Sequence, residues 1–134
     1  MAETRIHPET GETLRRGVRR QTVRYGSLAR AVDVPGWYPE GAGDGVHTGP
    51  DLAAADGAFR ELRDEYSAHV RQARKRLKLS QEEAGRIIGG GKRAFQKYES
   101  GATPPSDAAV GLIELLIRHP EDVETLRAIR AGGA

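Results

Sequence analysis

Residues 80–101 read SQEEAGRIIGGGKRAFQKYESG. The stretch opens on Ser80 and carries Glu83 three residues later, the spacing of a capping box that satisfies two orphan backbone N–H donors at a helix start. Ala84, Ile87 and Ile88 then share one helical face. Gly89 stands at the expected stop, where glycine accepts positive φ at no steric cost. A second helix is expected over 92–100, ending at Gly101. Its residues sort by face: Ala94, Phe95 and Tyr98 inward, Lys92, Arg93, Gln96, Lys97 and Ser100 outward. Two short helices joined by a glycine-bearing turn, the second basic and exposed, make a helix-turn-helix. In that motif the second helix enters the major groove of DNA. The glycines permit a tight turn and keep side chains away from neighbouring phosphates, while Phe95 and Tyr98 read as core and not as base-stacking aromatics.

Charge supports the same reading. From Ser67 to Gly101 nine basic residues (Arg71, Arg74, Lys75, Arg76, Lys78, Arg86, Lys92, Arg93, Lys97) face only Glu82, Glu83 and Glu99, although the whole chain of 134 residues carries a formal charge of just +2. After Gly101 the balance turns acidic. Segregated positive charge is the electrostatic footprint of a nucleic-acid binder. Lys75 and Lys78 read as solvated side chains.

Outward from this stretch, the chain divides into three parts of an α+β protein. Residues 1–50 are rich in Gly and Pro and contain alternating runs at 14–18, 21–25 and 28–34, with turn signals at Gly26 and Pro35-Gly36. A small antiparallel β domain is expected there. Residues 51–66 form a linker helix on the spacing of Leu52, Ala55, Phe59, Leu62 and Tyr66. Whether it breaks near Ser67 or runs on through Val70, Ala73 and Leu77 is open at this level. Residues 67–130 make a five-helix domain. Pro105 and Ser106 suit the start of an apolar helix, AAVGLIELLIRH, and Pro120 opens the last one. His69 and His119 read as surface or helix-end residues.

Several functions are disfavoured. No apolar run approaches membrane-span length. The N-terminal MAETRIHPETGE has no apolar signal region, so a cytoplasmic protein is expected. With no cysteine there is neither a disulfide nor a thiolate metal site. There is no GxSxG, no P-loop and no His/carboxylate cluster at metal or acid–base spacing, so no catalytic residue, cofactor or enzyme activity is expected.

Ser80 to Gly101 resembles the centre of the Xre/Cro-type repressor helix-turn-helix, without gaps. More narrowly, the triple glycine, AFQKYESG and the later LLIRHPEDVETLR resemble the C-terminal domain of the MqsA-type antitoxins. The resemblance implies that Gln81 is the helix-start glutamine that touches backbone or base. It also implies that Arg74 and Glu99 are a structural pair. The family reads DNA through an asparagine and, four residues on, an arginine; here those positions are Arg93 and Lys97. Both replacements keep hydrogen-bond donors but favour guanine over adenine. DNA-binding candidates are therefore Gln81, Lys92, Arg93, Gln96 and Lys97.

The same antitoxins usually carry an N-terminal zinc domain with two CxxC pairs. HPETG (7–11) and GWYPEGAGDGVHTG (36–49) follow the flanking pattern, yet the four ligand positions hold His7, Thr10, Pro39 and Ala42. No zinc is expected, since these residues do not make four adequate ligands and His47 adds only a second imidazole. An apolar core of Leu14, Val18, Tyr25, Val32, Trp37 and Tyr38 is expected to replace it. By resemblance, the chain is the antitoxin of a type II toxin–antitoxin system. It would bind operator DNA as a homodimer, with 106–130 as the candidate dimer surface, and neutralise a cognate toxin through strand edges near 14–34. The alternative is a stand-alone Xre-type repressor without a toxin partner.

Overall fold

The computed structural model describes residues 3–132. Three strands, β1 (Thr4–Ile6), β2 (Thr13–Tyr25) and β3 (Leu28–Tyr38), precede five helices: α1 (Ala53–Arg76), α2 (Gln81–Ile87), α3 (Ala94–Ser100), α4 (Asp107–Arg118) and α5 (Val123–Arg130). The α+β class expected from the sequence is the one observed. The residues separate into two compact units. One runs through Val23 and resumes over Ala29–Arg60; the other takes Arg24–Leu28 and everything from Glu61 onward.

The first unit is built on a sheet of order β1-β2-β3, with β1 antiparallel to β2 in the register Thr4↔Arg15, Arg5↔Leu14 and Ile6↔Thr13. Two sequence expectations change here. The runs at 14–18 and 21–25 are one strand, and β3 continues through Pro35 and Gly36 to Tyr38. Proline is tolerated because β3 is an edge strand. Gly36 marks a close approach and not a turn: a Cβ there would lie 2.6 Å from the His47 ring. The His47 Nδ1 itself sits 2.9 Å from the Pro35 carbonyl oxygen.

Leu14, Val34, Trp37 and Tyr38 are buried, but Val18 is 62% exposed and Val32 only half-buried. Val18 lies beyond Arg15, the last residue paired with β1, and outside the expected core. Tyr25 is buried, but in the other unit. The polar centre of the first unit is Asp51, only 4% exposed. It accepts from the Thr48 backbone N–H at 2.9 Å and takes both terminal nitrogens of Arg16, one at 2.8 Å. The Arg16 hydrogen bond first, and the Thr48 N–H second, hold the Asp51 carboxyl well below the usual carboxylate range.

The second unit begins inside α1, at Glu61; the helix is unbroken past Ser67, which settles the question the sequence left open. Its buried line is Ala58, Leu62, Tyr66, Val70 and Ala73. Phe59 falls within the same helical arc as that line yet is 42% exposed, and Leu52, just before the helix, is also exposed at 38%. Neither is buried as the spacing suggested. The β2–β3 turn packs within this unit. Gly26 has φ +60°, and a Cβ on it would overlap the Tyr66 ring. Glu114 Oε1 accepts from Ser27 Oγ at 3.1 Å and from the Tyr66 hydroxyl at 3.2 Å, and lies 2.9 Å from His69 Nε2. Burial, reinforced by that carboxylate, pushes the Tyr66 phenol far up. His69 is thus part of a mid-helix polar cluster and not a simple surface residue.

The Asp51 environment gives an acid dependence with a definite sign. A carboxylate with a depressed native pKa stabilises the fold fully above its unfolded value near 3.9, and that contribution disappears as pH falls further. Emission from Trp37, the only tryptophan, should therefore report loss of stability below about pH 4. Asp51→Asn should be less stable at neutral pH but change less over the same acid range.

Candidate nucleic-acid interface

The turn between α2 and α3 is set by glycines in backbone conformations that other residues rarely adopt. Ser80 caps α2 by accepting from the Glu83 N–H at 3.1 Å. Gly89, Gly90 and Gly91 follow with φ of +136°, +94° and +94°, three consecutive positive values. A Cβ on Gly90 would meet Ala94 Cβ at 2.7 Å and the Tyr98 hydroxyl at 2.8 Å. Gly85, inside α2, is pressed against the turn: its carbonyl accepts from the Gly91 N–H at 3.3 Å, and a Cβ on it would overlap the Gly91 carbonyl oxygen. The α2–α3 approach thus requires absent side chains at both ends.

Helix α3 begins at Ala94, two residues later than its basic start suggested, because Lys92 and Arg93 complete the turn. Ala94, Phe95 and Tyr98 are buried, with the Phe95 and Tyr98 ring centroids 5.3 Å apart. Lys92, Arg93, Gln96, Lys97 and Ser100 are exposed. Gly101, with φ +79°, stops the helix in the left-handed conformation. Behind α2, Arg130 Nε donates to the Ile87 carbonyl at 3.0 Å, satisfying one of the carbonyls a helix end leaves without a partner.

Arg74 meets Glu99 through two hydrogen bonds, Nε to Oε2 at 2.8 Å and Nη2 to Oε1 at 2.9 Å. Gln81 Nε2 donates to the same Glu99 Oε1 at 3.3 Å, so Gln81 is held by the pair and only half-buried. Gln81, Gln96 and Ser100 line a shallow cleft of about 350 Å³ with Arg71, Arg74 and Glu99. Lys92 stands apart, 3.5 Å from Glu82, with both side chains exposed. Arg71 is the residue that sequence reasoning counted only as charge. Its position three before Arg74, one turn away on the same face, was the available signal.

The family described as the antitoxin component of a bacterial toxin–antitoxin system, MqsA, matches residues 11–127. This chain belongs to the MqsA antitoxin family. Among relatives, Antitoxin MqsA of Escherichia coli (strain K12) is 41% identical over 56 residues, which is 42% of this chain and 43% of that protein. The chain therefore aligns with less than half the length of that relative. Among the described residues, no group of three His, Asp or Glu side chains is placed to hold a metal ion. No helix among them is long and apolar enough to cross a membrane.

The turn of this MqsA-family chain makes a prediction opposite to the usual helix rule. Alanine in place of a helical glycine ordinarily stabilises by about 1 kcal/mol. Gly85→Ala should instead destabilise by roughly 3 kcal/mol, because backbone and not a movable side chain opposes the new methyl. Urea denaturation followed by far-ultraviolet circular dichroism measures the difference.

Proposed function

We propose that the chain is the antitoxin of a type II toxin–antitoxin pair, acting in the cytoplasm as an autorepressor that binds its operator and neutralises a cognate toxin. The observation that carries the DNA-binding part is the sorting of α3, with Ala94, Phe95 and Tyr98 buried while Arg93, Gln96 and Lys97 face outward. A short helix anchored by apolar residues and clothed in donors fits the major groove. Arg93 and Lys97 are assigned to base edges, Gln96 to a base or phosphate, and Lys92 to a phosphate in exchange for Glu82. Gln81, steered by Glu99, is assigned to the backbone beside the site. No step of this activity is catalytic.

DNA binding and dimerisation are placed in residues 67–130, toxin binding in residues 1–50, with 51–66 as the link. Beyond Arg15, β2 has no pairing with β1, so an edge of backbone donors and acceptors near 14–34 is suited to strand addition by the toxin. Leu115 and Ile129 are 57% and 56% exposed on α4 and α5. Covering them in a two-fold dimer would set two copies of α3 about one DNA turn, roughly 34–36 Å, apart on a palindrome.

Fluorescence anisotropy with DNA from upstream of the chain's own gene tests the first part. Six to ten phosphate contacts predict a log–log salt slope of about −5 to −9. Lys97→Ala should weaken operator binding by about 1–3 kcal/mol and random DNA by much less. An equal loss on both would make Lys97 a phosphate contact, and no binding at low salt would overturn the reading. For the dimer, light scattering should show two chains per particle and one for Leu115→Asp with unchanged helicity. A monomeric parent protein would reject the two-fold arrangement.

A further inference from the structure

The zinc domain implied by resemblance can be tested against the side chains that stand in its ligand positions. Pro39 and Ala42 offer no donor atom. The Thr10 hydroxyl accepts from the Glu12 N–H at 3.3 Å. His7 Nδ1 takes the backbone N–H groups of Glu9 at 3.1 Å and Thr10 at 3.4 Å, so that nitrogen already caps a turn. A tetrahedral zinc site needs four good nitrogen, sulfur or carboxylate ligands. These residues do not fit one.

The loop that follows β3 is nonetheless closed and ordered around a different cation. Trp37 and Val46 exchange two backbone hydrogen bonds, each 2.8 Å, at its neck. Inside the neck the chain contains Gly41, Gly43 and Gly45, a composition that loses much backbone entropy on ordering. Its carbonyl groups converge on one side chain. Arg19 Nη2 donates to the Pro39 carbonyl at 2.9 Å and the Gly41 carbonyl at 2.7 Å, and Nη1 donates to the Gly43 carbonyl at 2.8 Å. The same guanidinium lies 4.4 Å from the centroid of the Tyr38 ring. That ring is buried and pinned by its hydroxyl, which donates to the Val34 carbonyl at 2.6 Å.

We infer that Arg19 is the staple of this loop, its guanidinium gathering the carbonyls of residues 39, 41 and 43 where the resembling proteins use a metal ion. The chemistry suits the task. A guanidinium has five donors in a rigid plane, keeps its charge at every physiological pH and forms hydrogen bonds stronger than neutral ones. Lysine would bring the same charge as a point without the fork. A chelator cannot remove this cation, and no thiol is present to be oxidised. The fold of the first unit is therefore indifferent to zinc supply and to thiol oxidants.

The full-length chain, purified without added metal, tests this in three arms. Metal analysis should find no stoichiometric zinc, and EDTA should leave the melting curve unchanged. In hydrogen exchange, Arg19→Met should speed the Trp37 and Val46 amides, which are hydrogen-bonded across the neck of the loop, at least about tenfold, the effect of losing one or more charge-assisted hydrogen bonds, while α2, α3 and α4 exchange as before. Arg19→Lys, which preserves charge and length, should give an intermediate acceleration and supplies the same readout if Arg19→Met does not fold. Bound zinc, a melting temperature lowered by EDTA, or unchanged loop exchange in a folded Arg19 variant would each overturn the inference.

Discussion

Arg74 and Glu99 are joined by two parallel hydrogen bonds, and the remaining Arg74 Nη1 serves the Leu79 carbonyl at 2.9 Å. With side-chain exposures of 13% and 6%, both charges have left most of their water behind. Such a pair stabilises little in itself because desolvation offsets attraction, but losing one partner leaves a stranded charge and costs about 3–5 kcal/mol. Its value lies in geometry. A planar fork accepts a carboxylate in few orientations, so the end of α1, the turn at Leu79 and the C-terminal half of α3 are held to one arrangement. The rotation of α3 about its own axis follows from that restraint together with Phe95 and Tyr98. The outward face of Arg93, Gln96 and Lys97 is the consequence.

The glycine turn and the ion pair act on opposite ends of the same short helix. At seven residues α3 is too short to be stable alone. Its start is set by three backbone conformations that side chains disfavour, and its end by Gly101 and the Glu99 anchor. Surface charges contribute differently. Lys92 and Glu82 are 75% and 67% exposed and 3.5 Å apart, a pair worth at most about 1 kcal/mol. The Lys92–Glu82 pair therefore breaks at small cost, whereas Arg74 is committed to Glu99.

The first unit uses charge in a manner unusual for so small a sheet. Arg16 closes on the buried Asp51, and Arg19 gathers a glycine-rich loop. Arg5 stands 4.3 Å from the Trp37 ring centroid. Arginine combines a long apolar stem with a head that stacks on aromatics and donates in a plane, so a few such residues supply both packing and hydrogen bonding where apolar area is scarce.

Local chemistry made much of this protein legible from its sequence: the Ser80 cap, the Gly89 and Gly101 stops, the two faces of α3, the segregated basic charge and the α+β class. Each is a property of neighbours three or four residues apart, which a linear pattern records. Tertiary structure alone decided the rest. Pro35-Gly36 became strand because β3 lies at an edge and His47 needs the space of a missing Cβ. Phe59 and Val18 left the expected core because burial depends on what packs opposite, not on apolar spacing. Gln81 is oriented by Glu99, 18 residues away. Arg19 meets carbonyls 20 to 24 residues distant. No periodicity announces an arginine whose partners are backbone oxygens, because every residue carries that acceptor and only the folded chain determines which of them converge.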